Sequence, residues 1–454
     1  MKQNMITGSP AKSLFLFALP MVAGNLFQQL YNIIDSMVVG NYIGADALGA
    51  VGASTPIVML FVAMATGMSI GCSVLISQFL GAGKKEEMKT AISTAFISVT
   101  VLGVLFLFCG QILTDPLLYL LKTPKDIFSD AKSYLSIYFW GMGFLFCYNG
   151  LNAVFNGLGM SYIPLVFLIC SSVLNVVLDL VFVKQYSMGI EGVAWATFIA
   201  QGISALVSFL WLLLTLKKME RKEEKVEEER KKRIYFDKDM LKDMCRIAIP
   251  SSIQQSIVSI GFLFVQALVN SYGTVIVAGY TAATKIDNIA ILPMANVGNA
   301  VSTFTAQNMG ARKPERISRG YGAAIAMVAC IGIVILLLLY LWGDVFIGAF
   351  VDSKTQKKVI DVGVDYLRTV SVWYMLMGFM NVTNGVLRGS GDIRLFMVTT
   401  LANFSVRVMM AHVLTKTPLE ARGIWWSIPI GWGVGFIIAR IRYRTGKWKE
   451  ITLI

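Results

Sequence analysis

Along this chain the apolar positions fall in long runs, about 20 residues or more each, separated by short polar turns. Twelve such runs begin near Leu14, Val51, Ala91, Ser133, Ile163, Ile190, Cys245, Val277, Tyr321, Tyr366, Leu395 and Gly423. Runs of that length suit membrane-spanning helices. Hydrocarbon offers no partner for an open backbone, so helices are the element this pattern predicts. Prolines inside the runs, Pro20, Pro56, Pro164, Pro250, Pro293 and Pro429, predict kinks, because each removes one backbone donor.

The pattern repeats. LFLFALPMVAGNLFQQLYNIIDSMVVG from Leu14 returns as CRIAIPSSIQQSIVSIGFLFVQALVN from Cys245, with Pro20 matched by Pro250. SQFLGAGKKE (Ser77) matches AQNMGARKPE (Ala306), YLSIYFWG (Tyr134) matches YLRTVSVW (Tyr366), NAVFNGLGM (Asn152) matches NGVLRGSGD (Asn384), and GVAWATFIAQG (Gly192) matches GIWWSIPIGWG (Gly423). The offset stays between 229 and 232, which shared hydrophobicity alone would not produce. Six spans per half is an even number, so both halves enter from the same side as parallel repeats. The expected organisation is a first lobe over residues 1–216, a charged cytoplasmic linker over 217–243 and a second lobe over 244–454.

Composition agrees with a bilayer as solvent: 56% of the 454 residues are hydrophobic and 15% are charged. The net charge of +13 does not indicate a nucleic-acid partner, because the basic residues lie between apolar runs rather than on one surface. With the amino terminus inside, the inner segments hold about 28 basic residues and the outer loops about nine, a bias that puts both termini in the cytoplasm. The six cysteines show no CxxC spacing and read as small apolar residues. The first run is too long for a signal-peptide core and reads as a retained span.

Acids inside the spans are the candidate chemistry, since an intramembrane carboxylate costs at least ~2.5 kcal/mol near the bilayer centre. Asp35 lies near the outer end of the first run, and Val265 takes its place in the second copy. Asn175 and Asp179, spaced i, i+4, share a face of the fifth run, and Thr197 lies near the start of the sixth. Counted at 1.5 Å per residue, all four fall within roughly the outer ~12 Å of the membrane. No Lys or Arg lies inside the first six runs, so Asp35 and Asp179 are expected to hold a proton or a hard cation such as Na⁺.

The second half carries Lys285, Asp287 and Arg407 inside its runs. An Asp287–Arg407 pair and an Asp365–Arg368 pair are expected, with a cleft-facing role for Lys285. His412 reads as a boundary residue. The GAGKK turn lacks the Ser or Thr and the preceding strand of a phosphate loop.

The D-x4-G-x3-G-A stretch from Asp35 to Ala45, the paired Q-x2-G-A turns at Gln78 and Gln307, and RGSGD at Arg388 together resemble the multidrug and toxic compound extrusion (MATE) family, in its DinF-like branch. That resemblance implies an all-α membrane protein with twelve helices in two lobes. It also implies a cation site at Asp35, Asn175, Asp179 and Thr197, and a bend of the first helix at Pro20. Other branches carry a coupling acid on the seventh helix, where this chain has only Gln254, Gln255 and Gln266.

The expectation is therefore an inner-membrane antiporter of bacterial type, monomeric, with H⁺ or Na⁺ as coupling ion, no cofactor, and small amphipathic, often cationic compounds as cargo. A flippase for a lipid-linked sugar precursor is the alternative, and it would need a cationic cleft for which only Lys285 and Arg407 qualify. A membrane-embedded enzyme is disfavoured, because the single histidine and the absence of a DDxxD-type cluster leave it no catalytic constellation.

Overall fold

The computed structural model describes residues 5–221, 234–349 and 357–451, and among them the chain is helical with no strand. The first repeat comprises α1 (Pro10–Tyr42), α2 (Ala45–Ala82), α3 (Lys85–Leu120), α4 (Lys125–Trp140), α5 (Met142–Gly157), α6 (Tyr162–Leu180) and α7 (Gly189–Arg221). The second comprises α8 (Lys238–Asn270), α9 (Thr274–Gly310), α10 (Pro314–Gly348), α11 (Lys357–Ser371), α12 (Tyr374–Ser390), α13 (Ile393–Leu414) and α14 (Arg422–Thr445).

The twelve expected spans account for all of these, because the fourth and the tenth are each broken once. The fourth divides at Gly141 into α4 and α5, and the tenth divides before Trp373 into α11 and α12. Each fragment is at most 17 residues long, so among the described residues ten helices are long and apolar enough to cross a bilayer unaided. The breaks fall at matching places in the two repeats, which extends the duplication from sequence to backbone. The helices run on through the prolines, and a non-helical residue appears where no proline predicts one, at Trp342 in α10 (φ −123°, ψ 19°), next to Gly343.

The outward faces are apolar. On α3, Val101, Leu105, Phe108 and Ile112 form an exposed stripe at helical spacing, and on α10 Val334, Leu337, Leu341 and Val345 form another. Stripes of this kind suit contact with lipid tails.

Two compact units divide the residues otherwise than at the middle of the chain. The first gathers Ala23–Ile76 and Lys84–Ser252; the second gathers Gln3–Val22, Ser77–Gly83 and Ile253–Ile454. Thus α1, α2 and α8 each contribute to both. Of the charged stretch expected to act as a linker, residues 222–233 lie outside the described residues, while its ends are helical. Asp237 caps α8, its Oδ1 accepting from the backbone amides of Asp239 (2.8 Å) and Met240 (2.9 Å).

Within the second unit the repeated Q-x2-G turns explain themselves. A Cβ on Gly81 would lie 1.9 Å from the Gln307 carbonyl oxygen, and a Cβ on Gly310 would lie 2.0 Å from that of Gln78. Each glycine therefore admits the backbone of the other copy's glutamine, as close helix crossings require. Gln78 Nε2 also donates to the Gly389 carbonyl at 3.2 Å, tying the RGSGD turn to the same place.

The amino-terminal segment is also held in this unit. Met5 is fully buried in its apolar core with Leu14 and Phe17. Arg316 donates from Nε to the Met5 carbonyl (3.1 Å), from Nη2 to that of Thr7 (2.7 Å) and from Nη1 to that of Gly8 (2.6 Å). Asn308 Nδ2 adds a bond to the Met5 carbonyl (3.0 Å) and Lys313 Nζ one to that of Ile6 (3.2 Å).

Candidate functional site

The four expected residues come from three helices of the first unit. Helix α1 continues to Tyr42, so Asp35 sits about two turns inside it rather than at its end. Helix α6 places Asn175 and Asp179 one turn apart, 2% and 0% exposed, and α7 supplies Thr197. Beyond Asp179 the rod continues through Val181–Gln185 in wider π-type turns, closed by a bond from the Tyr186 amide to the Val181 carbonyl at 3.3 Å. Such widened turns are frequent beside functional residues.

Asn175 holds the cluster together. Tyr31 Oη lies 2.6 Å from Asn175 Oδ1, and Asn175 Nδ2 lies 3.3 Å from Thr197 Oγ1. The opposite amide orientation satisfies more groups: Nδ2 then donates to Asp179 Oδ2 (3.1 Å) and to Tyr31 Oη (2.6 Å), while Oδ1 accepts from the Thr197 backbone amide (3.0 Å). In that orientation one amide joins all three helices.

The Asp35 and Asp179 side chains lie within hydrogen-bonding reach of each other. One oxygen of each carboxyl group, Oδ1, is buried with no hydrogen-bond partner. Among the described residues no Lys or Arg pairs with either acid; Lys184, beyond Asp179 in the chain, lies over the Tyr42 ring instead, 4.2 Å from its centroid. Two carboxylates in contact without a cation cannot both stay charged at low cost. At a separation of 4 Å and an effective dielectric of 20 their repulsion is about 4 kcal/mol. A proton or a small hard cation between them removes that cost, and the unfilled Oδ1 atoms are suitable donors. No three His, Cys, Asp or Glu side chains converge among the described residues, so the donor set is carboxylate, amide and hydroxyl oxygen.

Tyr31 was not anticipated, although its place one turn before Asp35 puts it on the same helix face. Tyr134 and Tyr138 of α4, stacked at 6.3 Å, complete the surroundings, with Tyr134 in electrostatic range of both acids.

The second unit arranges its polar residues differently from expectation. Asp287 does not pair with Arg407: its Oδ2 accepts from Tyr366 Oη at 3.3 Å and its Oδ1 from Tyr374 Oη. Two hydroxyl donors occupy the carboxylate and leave Arg407 only within electrostatic range. The guanidinium of Arg407 lies over the Phe262 ring, 5.0 Å from its centroid, and 5.9 Å from that of Phe404. Asp365 does not pair with Arg368 either; Arg422 Nε donates to its Oδ2 at 3.0 Å, and Arg368 lies over the Tyr340 ring at 5.4 Å. Lys285 is exposed, and His412 is exposed with Nδ1 2.9 Å from the Val408 carbonyl.

Comparison with known proteins agrees with this architecture. The probable multidrug resistance protein YpnP of Bacillus subtilis (strain 168) is 30% identical over 452 residues, spanning 98% of this chain and 97% of that protein. YoeA of the same organism, also named a probable multidrug resistance protein, is 29% identical over 97% of this chain and 95% of its own. A solved structure described as the outward-facing conformation of a multidrug resistance MATE family transporter is 25% identical, with a TM-score of 0.87 over 99% of both chains. The MatE family model matches residues 20–181 and again 250–413, once in each repeat and each time starting at the paired prolines, Pro20 and Pro250. With both copies of that model covered, the chain belongs to the MatE family of multidrug and toxic compound extrusion transporters.

Proposed function

We propose that this protein is a cation-coupled antiporter that exports small amphipathic, often cationic compounds by alternating between inward- and outward-facing states. It works in a bacterial cytoplasmic membrane as a monomer, with both termini in the cytoplasm. The observation that carries the reading is the Asp35–Asp179 contact, buried, braced by Asn175 and Thr197, and without a basic partner among the described residues.

The coupling ion acts on that contact. With both acids ionised, the cluster disfavours any arrangement that brings them together; a proton or Na⁺ between them reverses the preference. A difference of about 4 kcal/mol is nearly a thousandfold in an equilibrium constant, enough to bias a two-state transporter strongly. Cargo then competes for a state of the first unit rather than for the ion's own ligands. Helix α1, which carries Asp35 and passes Pro20 on its way, is the element whose bending would report the ion's arrival.

The test is efflux of a fluorescent lipophilic cation from proteoliposomes of purified protein, with a pH gradient and a Na⁺ gradient imposed separately. Transport driven by one of them establishes antiport and names the ion. No transport under either, with protein that is monodisperse, overturns the reading in favour of the flippase.

A further inference from the structure

Arg407 is a charged group of the membrane helices that the coupling reading leaves without a task. It is 6% exposed, its Nε is buried with no hydrogen-bond partner, and no ion pair reaches it among the described residues. A permanently charged side chain inside a span costs at least ~2.5 kcal/mol near the bilayer centre, so its retention calls for an interaction that offsets this. Asp287 supplies only part of it, at electrostatic range, because its carboxylate oxygens accept from Tyr366 and Tyr374 and no ion pair joins it to Arg407 among the described residues.

What does surround Arg407 is a shaped aromatic setting. The central carbon of the guanidinium lies 5.0 Å from the centroid of the Phe262 ring and 5.9 Å from that of Phe404, and the two rings meet edge to face at 6.0 Å. The Tyr280 side chain is within hydrogen-bonding reach of the guanidinium. Tyr280 is itself fixed, stacked on Trp425 with ring centroids 5.5 Å apart and 9° between planes, and Tyr366 packs edge-on against both. One turn before Arg407, Asn403 Oδ1 is also buried without a partner. Rings thus crowd the guanidinium while one donor at its edge, Nε, has no partner. That edge is the part of arginine that matches a carboxylate in a two-bond fork. Phe262, 45% exposed, offers an apolar surface beside it.

We propose that Arg407, with the Tyr280 hydroxyl beside it, is a seat for a carboxylate carried by the transported compound. The inference rests on the antiport reading for its occupant, and it makes the cargo a zwitterionic or acid-bearing amphiphile, apolar enough to lie against Phe262.

The experiment compares one dye in two forms, a rhodamine bearing a free carboxylate and its ethyl ester, by fluorescence anisotropy with purified protein in detergent. No gradient is applied, so the result stands whether or not coupled transport is found. The wild-type protein is expected to bind the acid at least tenfold more tightly than the ester. Arg407→Gln should abolish that preference while keeping its affinity for the ester, and Arg407→Lys should restore part of it through charge alone. Retention of ester binding shows that the variant is folded. Equal affinity of the wild-type protein for acid and ester, parallel loss of both in Arg407→Gln, or a preference that survives Arg407→Gln overturns the proposal. Benzoate at millimolar concentration should compete with the acid form and not with the ester. Benzoate binding without any preference for the acid dye would assign the seat to free anions and also overturn it.

Discussion

The two repeats use the same scaffold position for opposite chemistry. At the offset of 232 that aligns Asn152 with Asn384, Asn175 corresponds to Arg407, while Val265 stands at the place of Asp35. In the first repeat a neutral amide braces one of two acids that have no basic partner among the described residues; in the second a cation stands near one acid whose oxygens each accept from a tyrosine. Both repeats keep the tyrosine of the broken span, Tyr134 near Asp35 and Tyr366 on Asp287. Duplication preserved the frame and its hydroxyl, and the polar residues around it diverged. A half whose charge balance a single proton or cation can change is suited to switching. A half whose acid is held by two hydroxyls is suited to staying in place.

The contrast can be broken most sharply at the acids. Asp35→Asn and Asp179→Asn are each expected to reduce gradient-driven efflux at least tenfold in proteoliposomes, with the protein still monodisperse; full transport by both would remove the first repeat as the coupling site. Gly310→Ala tests where the copies remain alike: a Cβ 2.0 Å from the Gln78 carbonyl forces the backbone apart, at a cost of about 1–3 kcal/mol or more, read as a lower unfolding temperature in detergent. Gly81→Ala should match it, since its clash with the Gln307 carbonyl is the mirror of the first.

Tyr374→Phe removes one of the two donors on Asp287 and should cost about 1–3 kcal/mol of stability without changing which ion drives transport. If it changed the ion dependence, the second repeat would share in coupling and the comparison would fail. The smallest effect belongs to the outer ion pair. Arg422→Ala, at a site with its side chain 65% exposed, should alter stability by no more than about 1 kcal/mol, less at high salt.

The frame was legible because run length and repetition are properties of the chain itself. The twelve runs appeared as helices, and the repeated glycines proved to be places where backbones cross. The division of the fourth and tenth spans was not legible, since the residues around Gly141 and Trp373 are as apolar as the rest and only backbone angles mark the break. Of the candidate site, Asp35, Asn175, Asp179 and Thr197 could be gathered by depth and helix face; in the structure Asp179 and Thr197 lie on the Asn175 amide and Asp35 is reached through Asp179. Tyr31 escaped because a tyrosine in an apolar run counts as one more hydrophobic residue until its hydroxyl finds a partner. The ion pairs were misread for a different reason. Nearness in sequence suggested Arg368 for Asp365, but Arg422 arrives from another helix, and hydroxyls from α11 and α12 reach Asp287 where Arg407 was expected.

The hold of Arg316 on the amino-terminal carbonyls has a consequence for how the molecule is made. Residues 5–8 are synthesised well before the side chains that seat them, Asn308, Lys313 and Arg316, which follow about 300 residues later. At about 5–20 residues per second, the beginning of the chain waits roughly 15–60 s for its partners. This early segment is therefore seated late, and its capture records that the second repeat has reached the turn between α9 and α10. A nascent chain stalled before Arg316 should leave its amino terminus open to protease, and one stalled well beyond it should not.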